Sequence, residues 1–390
     1  MTTATRSSAL VLTEEQELLR RSVREFASAR FDIAQLRAYR DGEASVEEPL
    51  GYSRAHWREM AELGWTGILF PEEYGGLGLG HAELGVVLEE LGRRLLPQPL
   101  LSTVLLAGNA ILHGGSEAQK QAVLPGICAG ELVLAFAFQE QGRFAPWQVA
   151  TRATRVADGY RLAGEKCFVL DGHGADQLLV LARTAGEPGA RDGLTLFLLD
   201  PQTPGVECVR TSLLDVRNAA RIRFADVKVS VSQVVGAVDR AALILDRVFD
   251  GAAAGLSAEL VGVLSEAFER TLAYLKIRRQ FGALIGSFQA LKHRAADMFC
   301  ERELAVSVTL AALRALDAGR ADAPALASAA KARTSDVANL IGREAIQMFG
   351  GIGMTDEEEI GFFMKRARAA ETTLGDGAYH RDRFATLNGF

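Results

Sequence analysis

The sequence predicts an α+β fold in three parts: an N-terminal helical domain over 1–130, a small middle β-domain over 131–235 and a C-terminal four-helix bundle over 236–390. Apolar residues recur at helical spacing before and after the middle segment, and within it short runs of β-formers alternate with turn residues. The order helical, β, helical does not fit an alternating βαβ domain, in which strands and helices would interleave throughout.

Thr13, with Gln16 three residues on, reads as a capping box in which hydroxyl and amide each satisfy a free backbone N–H. Leu18, Leu19, Val23 and Phe26 then fall on one stripe. Ser53 opens a second helix carrying Trp57, Met60 and Leu63, and helical patterns follow over 81–95, 100–113 and 116–124. The stretch Gly75-Gly76-Leu77-Gly78-Leu79-Gly80 has the wrong glycine spacing for a dinucleotide fingerprint and no Walker lysine follows, so it reads as a structural turn. Residues 149–156 and 160–169 flank the hairpin turn Asp158-Gly159, and 178–181, 194–199 and 220–227 have strand length and character, together a small antiparallel sheet. Long helices are expected over 238–277, 285–318, 322–349 and 356–373, with connections short enough for an antiparallel bundle.

Composition excludes several classes of function. A net charge of −6 argues against a nucleic-acid binder, which needs a dense basic face to meet phosphates. Four scattered cysteines form no C-x-x-C and six histidines no H-E-x-x-H, so neither a disulfide framework nor a protein-built metal site is expected. No run of about 18 uncharged apolar residues suggests a membrane span, and Met1 to Val11 does not read as an export signal, so a cytoplasmic protein is expected.

Two turns carry the chemical signal. Arg278-Arg279-Gln280-Phe281-Gly282, followed by Ile285-Gly286-Ser287-Phe288-Gln289, offers arginines, amides and an aromatic ring between two helices, which suits a diphosphate joined to a flat heterocycle. Gln347-Met348-Phe349-Gly350-Gly351-Ile352-Gly353-Met354 ends the next-but-one helix, and its glycines would let backbone approach a ligand closely.

At these turns, and at Gly64-Trp65 through Pro71-Glu72-Glu73-Tyr74-Gly75-Gly76, the chain resembles the acyl-CoA dehydrogenase family along essentially its whole length. The resemblance implies non-covalent FAD and oxidation of an acyl-CoA to its trans-2-enoyl-CoA, with electrons passed to an electron-transfer flavoprotein. It implies that Arg278, Gln280, Phe281 and Gln289 contact the adenine and diphosphate half of FAD, reaching a neighbouring subunit's flavin. Gln347, Gly350 and Gly351 would hold the dinucleotide from the other side, and a homo- or hetero-oligomer follows. The wording of 131–182 and Gly375-Asp376 looks most like the small subunits of heteromeric bacterial enzymes such as pimeloyl-CoA dehydrogenase. Such a subunit can be non-catalytic, supplying flavin contacts to a partner.

The departures bear on catalysis. Where the family carries Thr-Glu-Pro and Gly-x-Gly-Ser-Asp, this chain reads Gln139-Glu140-Gln141-Gly142-Arg143-Phe144. The Trp-Ile-Thr that packs on the flavin corresponds to Phe168-Val169-Leu170, which keeps an aromatic wall at Phe168 and loses a hydroxyl. The chemistry needs a carboxylate across the substrate from the flavin, in a dry site, to take the α-proton. The usual Glu falls on Leu374, followed by Gly375 and Asp376. Some members place the base on the first long helix of the bundle, which here is Asp246. Arg247 beside it would by resemblance sit near the thioester. Asp246 is thus the candidate base and Asp376 the alternative. Asp250, one turn from Asp246, would share its face and raise one of the two pKa values unless both acids are solvated. The small residues Gly251-Ala252-Ala253-Ala254-Gly255 suggest a roomy pocket for a long, dicarboxylic or ring-bearing acyl group, or a close helix contact.

Overall fold

The structure, a computed structural model, describes residues 11–42 and 50–390; most of the segment in which no export signal was read lies outside the described residues. The chain begins with α1 (Glu14–Arg30), α2 (Ile33–Asp41), α3 (Arg54–Glu62) and α4 (His81–Arg93). A π-helix (Leu100–Gly108) then runs into α5 (Asn109–Gly114), and α6 (Glu117–Cys128) follows. The capping box forms as read, with Gln16 N–H donating to Thr13 Oγ1 at 3.2 Å. On α1, Val23 and Phe26 are buried, whereas Leu18 is exposed and the amide of Gln16 takes a buried place, bonded to Glu83. On α3, Trp57 and Met60 are buried and Leu63 is exposed. The 75–80 glycines form a packed turn: a Cβ on Gly76 would lie 2.0 Å from the Phe70 carbonyl oxygen.

The middle segment folds as β1 (Leu134–Ala137), β2 (Arg152–Val156), β3 (Gly159–Leu170), β4 (Gln177–Arg183), β5 (Leu194–Leu199), β6 (Val206–Ser212), β7 (Asn218–Ser230) and β8 (Val234–Val235). They form one sheet in the order β6-β7-β3-β2-β4-β5-β8, with β1 beside β4. The sheet is mixed rather than purely antiparallel, because β1 and β2 each run parallel to β4. The connections that allow this, from β1 to β2 and from β3 to β4, are irregular segments with no hydropathy period to betray the strand direction.

The C-terminal part comprises α7 (Ala241–Ile277), a short hairpin of β9 (Arg279–Gln280) and β10 (Ala283–Leu284), α8 (Gln289–Asp317), α9 (Ala323–Phe349), α10 (Ile360–Thr372) and α11 (Gly377–Leu387). α7 is the central helix. It contains a window apolar and long enough to cross a membrane by composition, with two or fewer charges, but that window is entirely buried inside the chain's own layers.

The small residues of α7 serve contact with α4 and the π-helix, not a pocket. A Cβ on Gly251 would meet His81 Nε2 at 2.9 Å, one on Gly255 would meet Leu105 Cδ1 at 2.4 Å, and one on Gly262 would meet the Glu89 carbonyl oxygen at 1.9 Å. The expected pocket over 251–255 is therefore replaced by helix-to-helix packing. Gly262→Ala is expected to lower stability by about 1–3 kcal/mol, the usual cost of overpacking against unyielding backbone. An unchanged urea midpoint would mean that the two helices can separate freely.

Candidate active site

A cavity of about 290 Å³ opens between the π-helix, the sheet and the end of α10. Leu101, Leu106, Phe136 and Phe138 give it an apolar wall. Phe168, 44% exposed, and Leu374, buried, also line it. Both are held in the left-handed region, with φ of 50° and 59°. That conformation is costly for a large side chain, and at Phe168 a bulge in the β3–β7 pairing between Lys166 and Val169 produces it, turning the ring out of the strand's alternation.

The divergent segment 139–144 is fixed from beneath. Lys166 is fully buried and donates from Nζ to Glu140 Oε1 at 2.6 Å and to the Phe138 carbonyl at 3.2 Å. Burial pushes the Lys166 amine down to about 8 even with that partner. Glu140 also accepts from the backbone N–H groups of Ala150 and Thr151. These bonds present Gln139 and Gly142 to the cavity.

A charged network backs the inner side. Arg366 donates to both oxygens of Glu259, at 2.9 and 3.0 Å, and to Asp215 Oδ2 at 2.6 Å. Arg217 donates to Glu259 Oε1 at 2.6 Å. Burial alone would raise the Glu259 carboxyl, but Arg217 and Arg366 outweigh it and hold it below the usual range. Nothing in the sequence marks these residues as partners, because they lie on three elements far apart in the chain. Asp171 was missed for the same reason. It lines the cavity, accepts from Ser102 Oγ at 2.5 Å, and burial pushes its carboxyl up to about 6.

The candidate bases are elsewhere. Asp246 on α7 is half-buried and paired with Arg191, whose guanidinium lies 4.1 Å from the centre of the Trp147 ring. It does not line the cavity: Phe249, less than a turn further on, packs against Phe138 and Phe144 with ring centroids 5.2 and 5.5 Å apart. Asp250 is buried rather than solvated, paired with Arg383 at 2.7 Å, and its carboxyl is raised by burial, with Asp246 adding to the shift. Arg247 is exposed and helps burial to depress His113. Asp376 is exposed and caps α11, its Oδ1 accepting from the Tyr379 N–H at 2.8 Å. The turn bearing Leu374 is clamped instead by buried Lys331, which donates to the carbonyls of Glu371 and Gly375, and by His380 against the Leu374 carbonyl.

The two motif turns meet at one end of the bundle. Tyr274 stacks on Phe349 with ring centroids 4.3 Å apart, and Arg278 N–H donates to the Tyr274 carbonyl at 2.9 Å. Arg278, Gln280, Phe281, Gln289, Gln347, Gly350 and Gly351 are all exposed there, and none lines the cavity. Gly350 has a φ of 70°, and a Cβ on Gly350 or Gly351 would meet nothing within 4 Å, so this backbone faces open space.

Residues 13–131, 136–227 and 241–386 match in turn the N-terminal, middle and C-terminal domain families of acyl-CoA dehydrogenase. Over 371 residues the chain is 32% identical to acyl-CoA dehydrogenase IpdE2 of Mycolicibacterium smegmatis, covering 93% of this chain and 96% of that protein. The chain belongs to the acyl-CoA dehydrogenase family. Probable acyl-CoA dehydrogenase YngJ of Bacillus subtilis is 29% identical over 94% of this chain and 95% of its own length. Among solved structures, butyryl-CoA dehydrogenase from Megasphaera elsdenii superposes with a TM-score of 0.88 at 27% identity, covering 97% of this chain and 99% of that one. The Tcur3481-Tcur3483 steroid ACAD superposes at 0.84 with 31% identity, over 96% and 98%. As a member of this acyl-CoA dehydrogenase family, the chain is an FAD-dependent enzyme, and the helical, β, helical order read from the sequence is the family's architecture.

Proposed function

We propose that this acyl-CoA dehydrogenase removes hydrogen from the α and β carbons of an acyl-CoA, giving the trans-2-enoyl-CoA, and delivers the electrons to an electron-transfer flavoprotein. The observation that carries the reading is the largely apolar cavity with exposed Phe168 and buried Leu374 both in its lining. FAD, when bound, supplies the hydride acceptor. Phe168 and Gly142 would flank its ring, and the residues fit: the left-handed bulge leaves the Phe168 face open. The open backbone at Gly350 and Gly351, with Gln347, Arg278, Gln280, Phe281 and Gln289, fits the diphosphate and adenine half. Because these turns stand apart from the cavity of their own chain, they would serve a neighbouring subunit, so the working unit is an oligomer of like or related chains. The cavity walls would exclude water from the α-carbon; Asp246, which stands outside them, would leave Arg191 and reach past Phe249 to take the α-proton, and Arg247 beside it would face the thioester.

A second reading is supported by Leu374. With a buried aliphatic residue where the family's carboxylate is expected, the chain would be a non-catalytic, FAD-contacting subunit whose partner owns the base. Anaerobic bleaching of the flavin by a panel of acyl-CoAs separates the two. Bleaching by the chain alone, followed by reoxidation with an electron-transfer flavoprotein, is expected for the first. Bleaching only with a second subunit, and unaffected by changes at Asp246, would establish the second. No bleaching by any thioester in either form would refute the dehydrogenase reading.

A further inference from the structure

We propose that the polar part of the cavity lining binds an acyl group bearing a neutral alcohol, held between the carboxylate of Asp171 and the amide and guanidinium donors of Gln98 and Arg217. The inference rests on the reading that this cavity receives the acyl chain. Beside its aromatic and aliphatic residues the cavity is lined by Gln98, Ser102, Asp171 and Arg217, none of them exposed. Ser102 is fully buried and Gln98 is 6% exposed. Asp171 is partly buried and lines the cavity.

The hydrogen bonds show what this part of the lining has to offer. Ser102 Oγ satisfies Asp171 Oδ2, while Oδ1 makes no hydrogen bond among the described residues. Gln98 Oε1 accepts from the Leu100 N–H at 2.6 Å, which leaves the amide NH₂ for the cavity. Arg217 spends only Nη2, on Glu259, and keeps its other N–H groups. A hydroxyl both donates and accepts, so it can meet an acceptor and a donor at once. A hydrocarbon would leave these groups desolvated and unpaired.

Charge selects against the other polar chain ends. Arg217 and Arg366 already pair with Asp215 and Glu259, and Arg368, the third arginine of the lining, pairs with Glu371, which leaves Asp171 without an arginine partner among the described residues. Asp171 is the acid left over, and burial raises its carboxyl against the opposing pull of Ser102, Arg217 and Arg366. A terminal carboxylate on the acyl chain would be buried beside this excess acid and repelled. Of the chain types expected from the sequence, the dicarboxylic one is therefore disfavoured and a hydroxylated chain or ring is favoured.

The test uses FAD-loaded protein, with its partner subunit if one is required, and two matched series of thioesters. One is octanoyl-CoA, ω-hydroxyoctanoyl-CoA and the mono-CoA thioester of octanedioic acid. The other is 3-cyclohexylpropanoyl-CoA with its 4-hydroxy and 4-carboxy derivatives. Isothermal titration gives affinity whether or not turnover follows. The hydroxyl form of at least one skeleton is expected to bind about ten- to a hundredfold tighter than its parent, the range for a hydrogen bond to a charged group. The carboxylate form should bind more weakly than the parent. Asp171→Asn, which suits the left-handed backbone there, and Ser102→Ala should each shrink the hydroxyl preference to within about threefold. Equal binding of hydroxyl and parent in both series would overturn the proposal while leaving the dehydrogenase reading intact. Loss of FAD from Asp171→Asn, with the hydroxyl preference kept in Ser102→Ala, would also overturn it by assigning the carboxyl to the cofactor. If none of the six thioesters binds or bleaches the flavin, the acyl-CoA reading itself falls.

Discussion

Asp246→Asn is expected to keep FAD and the folded state but to slow flavin reduction by substrate about a hundredfold or more, the usual scale for losing a positioned general base. The amide is nearly isosteric and can still accept from Arg191, so the two loops that carry Arg191 and Trp147 should stay in place. What it cannot do is take a proton. Asp246→Glu should retain activity, because one more methylene extends the carboxylate toward the substrate past Phe249. Asp376→Asn is the control: asparagine caps a helix as well as aspartate, so α11 should be undisturbed and reduction unchanged. The measurement is anaerobic stopped-flow bleaching, with the partner subunit present if one is needed. Normal reduction in both asparagine variants would remove both carboxylates from consideration and move the base to another chain.

Arg366→Leu is expected to cost about 3–5 kcal/mol, read as a lower urea midpoint, because it strands Glu259 and Asp215 in the interior with one arginine between them. The pH dependence has a definite sign. In the native protein Glu259 is held below its ordinary pKa, so its contribution is complete above the unfolded value and is lost as pH falls through the folded one. Removing Arg366 raises the folded pKa and takes that contribution away. The deficit should therefore be largest near neutral pH and shrink below about pH 4, where unfolded glutamate itself protonates. Arg366→Leu combined with Asp215→Leu should recover part of the loss, since one stranded charge is gone. A deficit independent of pH would show that the arginine acts by packing alone.

Much of the architecture was legible because it rests on local pattern. The capping box at Thr13 and Gln16, the hairpin at 158–159, the strand 194–199 and the four long C-terminal helices each follow from residues within a few positions of one another. Weakly patterned elements were not legible: β1 has only four residues, α2 buries only Ile33 and Leu36, and β6 buries none of its residues fully. The two turns were readable as chemistry, since arginine, glutamine, phenylalanine and glycine crowd into a dozen positions. Their meeting at one end of the bundle, through Tyr274 on Phe349, was not.

By itself, the sequence determined the helical, β, helical order and the family, because each is carried by contiguous residues, and by resemblance it put Leu374 where a carboxylate is expected. Only the tertiary structure decided where the acids stand. It buries Asp250 beside Arg383, turns Asp246 to Arg191 outside an aromatic wall, uses Asp376 as a cap and brings Asp171 into the cavity. The physical reason is that a carboxyl's role depends on its dielectric surroundings and partners. For Asp171 those come from Ser102, 69 residues earlier, and for Glu259 from Arg366, 107 residues later.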